Sequence, residues 1–155
     1  MQRTIDREAT GASGRGAGIK AVGRSVLTVL TGAVVAGVLI AAVEAVSSAV
    51  FPLPPGIDLH DHEVLRQHID SLPVGAFLFV LAAWAIGAFA GSWVAARIAA
   101  RARLAHGLAV GALFLLAGVL TMLSIPHPWW MWVGGIVTLG GCSYLGARLA
   151  IRAIG

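Results

Sequence analysis

Apolar residues gather into four long blocks, Val26 to Val50, Val74 to Ala96, Leu104 to Ile125 and Trp129 to Ala147, separated by short polar or proline-bearing stretches. A helix crossing roughly 30 Å of hydrocarbon needs about 20 predominantly apolar residues, and each block is of that order. The pattern predicts an all-α fold, an integral membrane four-helix bundle. Phe51-Pro-Leu-Pro-Pro-Gly56 ends the first block, because proline lacks the amide donor and restricts the residue before it. In Asp58 to Leu72 the apolar residues Leu65, Ile69 and Leu72 recur at spacings of four and three. Asp61 and Glu63 suit a helix start, and Arg66 lies within reach of both Glu63 and Asp70. The expectation is a short external amphipathic helix on the membrane surface. Pro73 suits the first turn of the next span. The alanine-rich stretch around Arg97, Arg101 and Arg103 can remain helical for an extra turn on each side, and Pro126-His127-Pro128 predicts a tight reversal.

Residues 1–25 are polar and small, and read as a flexible basic cytoplasmic tail, too poor in apolar groups to offset ordering entropy. Basic residues ahead of an apolar run also suit a secretory signal, with Val43-Glu44-Ala45 as a cleavage site. The run is longer than a typical signal core and Glu44 precedes the cut, which favours an uncleaved first span. The remaining residues, 26–155, form the transmembrane domain, leaving no segment long enough for a separate soluble catalytic domain.

Composition reinforces the pattern: 58% of the residues are hydrophobic and 12% charged, against roughly 45–50% and about 25% in soluble domains. Mean hydropathy is +0.87. The formal charge of +4 invites a nucleic-acid partner, but the basic residues flank the spans instead of lining one soluble face, so nucleic acid is set aside. Ten of the 11 Lys and Arg fall on one side: Arg3, Arg7, Arg15, Lys20, Arg24, Arg97, Arg101, Arg103, Arg148 and Arg152, with Arg66 alone opposite. By the positive-inside rule both termini are expected to be cytoplasmic, and four spans independently require both to lie on one side. Trp129, Trp130 and Trp132 mark one membrane interface and Trp93 the other.

Small residues recur every four positions, at Ala83, Gly87, Gly91, Ala95 and Ala99 in the second span and Gly134, Thr138, Cys142, Gly146 and Ala150 in the fourth. Backbones approach closely where side chains are absent, so Gly87, Gly91, Gly134 and Gly146 are candidate packing positions, within the chain or against a second copy. The same series also arises from the abundance of small residues in these spans. Glu44 is the acid inside a span, where a charge costs on the order of 3 kcal/mol. It shares a helical face with Gly37, Ala41 and Ser48, which predicts an inward orientation and makes it a proton or substrate candidate. The alternative is structural: at about 1.5 Å per residue it lies roughly 9 Å below the helix end, within reach of external water, Arg66 or His127.

No catalytic residue, cofactor or metal site is expected. His60, His62 and His68 sit at spacings of two and six, which puts them on different helix faces and disfavours a metal. His127, between two prolines, reads as a turn and interface residue instead of a haem or metal ligand. The single cysteine, Cys142, excludes an intramolecular disulfide or a Cys-x-x-Cys pair. Nucleophile elbow, phosphate loop, HExxH and dinucleotide fingerprint are all missing.

Phe51-Pro-Leu-Pro-Pro-Gly-Ile-Asp58, Leu72-Pro73, Ala83-Trp84-Ala-Ile-Gly-Ala-Phe-Ala-Gly91 and Ile125-Pro-His-Pro-Trp129 together resemble small, uncharacterised four-span inner-membrane proteins of bacteria, over roughly residues 26–150. The resemblance implies a place and a topology without an activity. An acid in the first of four spans is also similar to small multidrug-resistance transporters, which lack the long tail and the acidic loop helix found here. The functional expectation is therefore a structural or accessory membrane component. The alternative is a small proton-coupled transporter or channel using Glu44. Its expected partners are the lipid bilayer and a second copy or another membrane protein.

Overall fold

A computed structural model describes residues 2–56, 61–125 and 127–153. Five helices follow in order: α1 (Gln2–Val50), α2 (His62–Ser71), α3 (Val74–Ile98), α4 (Arg103–Ser124) and α5 (Trp129–Arg152). Among the described residues there is no strand. The boundaries of α3 and α4 fall within two residues of the apolar blocks, because Pro73 and the Arg-rich connection punctuate them. The start of α1 differs. The tail expected to be flexible continues the helix back to Gln2. No proline interrupts residues 2–51, so a helix already nucleated by its apolar half extends through them, against about 1 kcal/mol at each of Gly11, Gly14, Gly16, Gly18 and Gly23.

Among the described residues three helical stretches are long and apolar enough to cross a membrane: Lys20–Val50, Val74–Ile98 and Arg103–Ser124. α5 has the length, at 24 residues, but is less apolar than the other three. Its residues explain why: three tryptophans, five glycines, Ser143, Tyr144 and Arg148 add polar or interfacial groups, or no apolar surface, where the other spans carry Leu, Val and Ile.

α3 is the centre of the bundle. It packs on α1, α4 and α5, while α1 and α5 flank it without meeting each other and α4 touches all three long helices. The register of contacts makes α1 antiparallel and α5 parallel to α3: Gly32 meets Gly91 and Ile40 meets Gly87, whereas Trp84 meets Gly135 and Phe89 meets Gly146. Ala83, Trp84, Ala88, Met122 and Leu139 form one core cluster. Trp84 is accommodated because two positions facing it lack side chains. A Cβ on Gly135 would lie 2.8 Å from the Trp84 ring, and one on Gly118 would lie 3.5 Å from it.

α2 is capped by Asp61, whose Oδ1 accepts from the backbone N–H groups of Glu63 (2.9 Å) and Val64 (3.3 Å). Arg66 lies 3.9 Å from Asp70, and Glu63 accepts from Gln67 instead of pairing with Arg66. The apolar face, Leu65, Ile69 and Leu72, packs on Phe77, Met131, Ile125 and Trp130. α2 therefore seats its apolar face on the ends of α3 and α5.

The α3–α4 connection is tight. α3 stops at Ile98 and α4 starts at Arg103, with Ala102 in the left-handed region (φ 46°, ψ 43°), a conformation that costs a non-glycine residue about 1–2 kcal/mol. The arginines there satisfy chain-end carbonyls. Arg103 Nε donates to Ala99 O (3.1 Å) and Arg97 Nη1 to Ala153 O (3.2 Å), the latter tying the end of α3 to the end of α5.

Candidate functional site

Glu44 lies on the outward face of α1. It is exposed, as are Ala41 and Ser48, while Gly37 is half-buried with no atom within 4 Å of where its Cβ would stand. The face of α1 that enters the bundle is instead Gly32, Ala36, Ile40, Val43 and Ser47. The expected inward orientation of Glu44 is thus corrected. The small-residue criterion selects two stripes on α1, and burial goes to the one whose opposite helix, α3, is also small. Ser48 Oγ donates to the Glu44 carbonyl (2.9 Å), a bond within the helix, and among the described residues the Glu44 carboxylate has no basic partner.

The second-span series lies at the centre of the bundle. Ala83, Gly87, Gly91, Ala95 and Ala99 are all buried. A Cβ on Gly87 would meet Ala36 O at 2.9 Å, and one on Gly91 would meet Gly32 O at 2.5 Å. In α5 the fully buried line is Met131, Gly135, Leu139, Ser143 and Ala147, one position along from the series read in sequence. Gly134, Thr138 and Cys142 are half-buried. A Cβ on Gly134 would meet only Leu81, at 3.3 Å. Gly146 and Ala150 are buried, and Gly146 lies directly against the Phe89 backbone carbonyl.

Two polar groups absent from the sequence reading occupy the interior. Ser92 on α3 and Ser143 on α5 are 0% and 1% exposed, and neither hydroxyl has a hydrogen-bond partner among the described residues. Other hydroxyls in the long helices behave differently: Thr28, Thr31, Thr121 and Ser124 each donate to the carbonyl four residues earlier. Gly111 of α4 sits between the pair, and a Cβ there would be 2.5 Å from Ser143 Cβ and 3.9 Å from Ser92 Oγ. The signal was present in the sequence, as serines inside apolar spans opposite a glycine-bearing span, but nothing in one chain's spacing says that the three share a depth.

Trp129 is 79% exposed at the start of α5. Trp130 stacks edge-on against Phe77 at 5.7 Å, and Trp132 packs on the core around Trp84, so both are structural contacts as well as end-of-helix aromatics. Trp93 carries the Arg97 guanidinium over its ring at 5.7 Å. His127 is held in the reversal by a 2.6 Å hydrogen bond between Nδ1 and Ile125 O.

Among the described residues no three His, Cys, Asp or Glu side chains gather to hold a metal ion; His60 and the His62 side chain lie outside the described set. Cys142 is a free, half-buried thiol. The chain matches no protein-family model, no curated protein and no solved structure.

Proposed function

We propose that this chain is an integral membrane protein whose four long helices α1, α3, α4 and α5 all span the bilayer, acting as a structural or accessory component of a bacterial inner membrane. The observation carrying this reading is the packing of α3. Its glycine and alanine faces meet the backbones of α1 and α5 directly, the way helices associate where no water drives them together. A bundle closed in this manner holds its shape and presents its outer surface to lipid and to other membrane proteins or a second copy. α5 spans by virtue of its length and its packing on α3 and α4, with its tryptophans at one interface and Arg148 and Arg152 at the other. The Lys and Arg distribution supports a cytoplasmic side for both termini.

The transport alternative rested on Glu44 entering the bundle, and the exposure of Glu44 removes that support. Reconstitution separates the two readings. Proteoliposomes carrying the purified chain should dissipate an imposed proton gradient no faster than protein-free vesicles. A flux that Glu44→Gln abolishes would restore the transporter. Resistance of the membrane-bound chain to alkaline carbonate extraction tests integral insertion separately.

A further inference from the structure

On the basic side of the bundle a cavity of about 320 Å³ opens between the amino-terminal half of α1 and the α3–α4 connection, bordered by Arg24, Ser25, Thr28, Arg101 and His106. An apolar groove of about 400 Å³ runs between α1 and α4, lined by Val26, Val29, Leu30, Ala105 and Ala109. Ser25 and His106 border both, so the two spaces adjoin. Together they reach the size of an ordinary ligand site. Their chemistry is divided along the helix axis: two guanidiniums, hydroxyls and an imidazole at the end of the helices, then a purely hydrocarbon slot running inward. The arginines are available. Arg97 and Arg103 donate to main-chain carbonyls, whereas among the described residues Arg24 and Arg101 have neither an acidic partner nor a side-chain hydrogen bond.

We propose that this composite space binds one anionic phospholipid, its phosphate between Arg24 and Arg101 and an acyl chain along the α1–α4 groove. The proposal rests on the membrane reading above. A soluble phosphate would satisfy the arginines but leave the groove unused, and a zwitterionic lipid would fill the groove with weaker attraction to the arginines. Only an anionic lipid uses both parts. Basic pockets between membrane helices at the cytoplasmic side suit such headgroups, each basic residue contributing attraction near the surface. Guanidinium is the better cation for the purpose, since its planar fork matches phosphate oxygens two at a time.

The test uses the full-length chain in nanodiscs of phosphatidylcholine, with phosphatidylglycerol titrated in and retained lipid counted by native mass spectrometry. The wild type should retain one phosphatidylglycerol in preference to phosphatidylcholine. R24Q/R101Q should reduce that preference roughly tenfold to thirtyfold, while R66Q at the opposite end leaves it unchanged. A109F, which fills the groove, should lower retention without changing the charge. Unfolding in pure phosphatidylcholine should be alike for all variants, showing that the fold is intact. An equal preference in wild type and R24Q/R101Q overturns the site. Displacement by millimolar inorganic phosphate with no effect of A109F also overturns it, in favour of a soluble anion. Release of the chain by carbonate would instead remove the membrane reading itself.

Discussion

Gly32 and Gly91 exclude each other's side chains: a Cβ on Gly32 would stand 2.6 Å from Gly91 O, and one on Gly91 would stand 2.5 Å from Gly32 O. The obstruction in both directions is backbone, which cannot rotate out of the way, so α1 and α3 must separate to admit even a methyl group. Helix propensity favours Ala over Gly by about 0.8–1.0 kcal/mol, and overpacking a filled interior costs about 1–3 kcal/mol. Overpacking wins. Gly32→Ala and Gly91→Ala are each expected to destabilise by up to about 2 kcal/mol net of these two effects, and Gly91→Leu by more. Gly37→Ala, on the open face of the same helix, should be neutral or slightly stabilising. Unfolding in detergent, followed by loss of helical circular dichroism, measures all four; equal behaviour of Gly37 and Gly91 variants would remove the α1–α3 seam.

The fourth long helix offers a second internal comparison. Gly146 lies against the Phe89 carbonyl, whereas Gly140 and Gly141 have no atom within 4 Å of their would-be Cβ positions. Gly146→Ala is expected to destabilise by up to about 2 kcal/mol, overpacking net of helix propensity, while Gly140→Ala and Gly141→Ala should gain up to about 1 kcal/mol from helix propensity. If a second copy sits on that open face, the Gly140 and Gly141 variants lose their dimer in size-exclusion with light scattering, yet keep the monomer's stability.

The positions of α3 and α4 could be read from the chain because their ends carry chemical punctuation: Pro73, the arginine connection and Pro126. The amphipathic α2 was readable for the same reason, from Asp61 and the spacing of Leu65, Ile69 and Leu72. Which face of α1 turns inward was not. Both the stripe containing Gly37 and Glu44 and the stripe containing Gly32 and Ala36 are small, and the choice is made by α3, whose glycines meet only the second. On α5 the series read in the sequence is buried at Gly146 and Ala150 but only half-buried at Gly134, Thr138 and Cys142, for a related reason. Trp84 needs the space at Gly135, so a large side chain on a neighbour decides the rotation of a helix whose own sequence offers glycines on several faces.

The proposed topology rests on the charge distribution and is independent of the packing. Reporter fusions following Gly155 and at Arg101 are expected to read cytoplasmic, and one inserted near His62 external, since Lys and Arg concentrate on one side of the spans. α5 is the sensitive element, since its apolar stretch falls short of those in α1, α3 and α4. A carboxy-terminal reporter on the same side as the His62 fusion would mean that α5 does not cross, and a three-span topology would replace the four-span one.

The meeting of Ser92, Gly111 and Ser143 allows a test in which one substitution repairs another. A buried hydroxyl without a partner carries a desolvation cost of about 1–3 kcal/mol when the unfolded state is hydrated. In a bilayer the reference helices are already out of water, and polar contacts there are worth only about 0.6 kcal/mol on average. Ser92→Ala and Ser143→Ala should therefore change stability by less than about 1 kcal/mol, towards greater stability. Gly111→Ala places its methyl 2.5 Å from Ser143 Cβ and should destabilise. Ser143→Ala cannot relieve that clash, because the Cβ remains. Ser143→Gly can, so Gly111→Ala with Ser143→Gly should be more stable than the sum of the two single effects, by a coupling of about 0.5–3 kcal/mol for residues in contact. Steric unfolding measured on the four proteins of this cycle gives that coupling directly. A value indistinguishable from zero would mean that α4 and α5 do not meet at this depth. A strong loss on Ser143→Ala would instead show a hydroxyl engaged in a hydrogen bond.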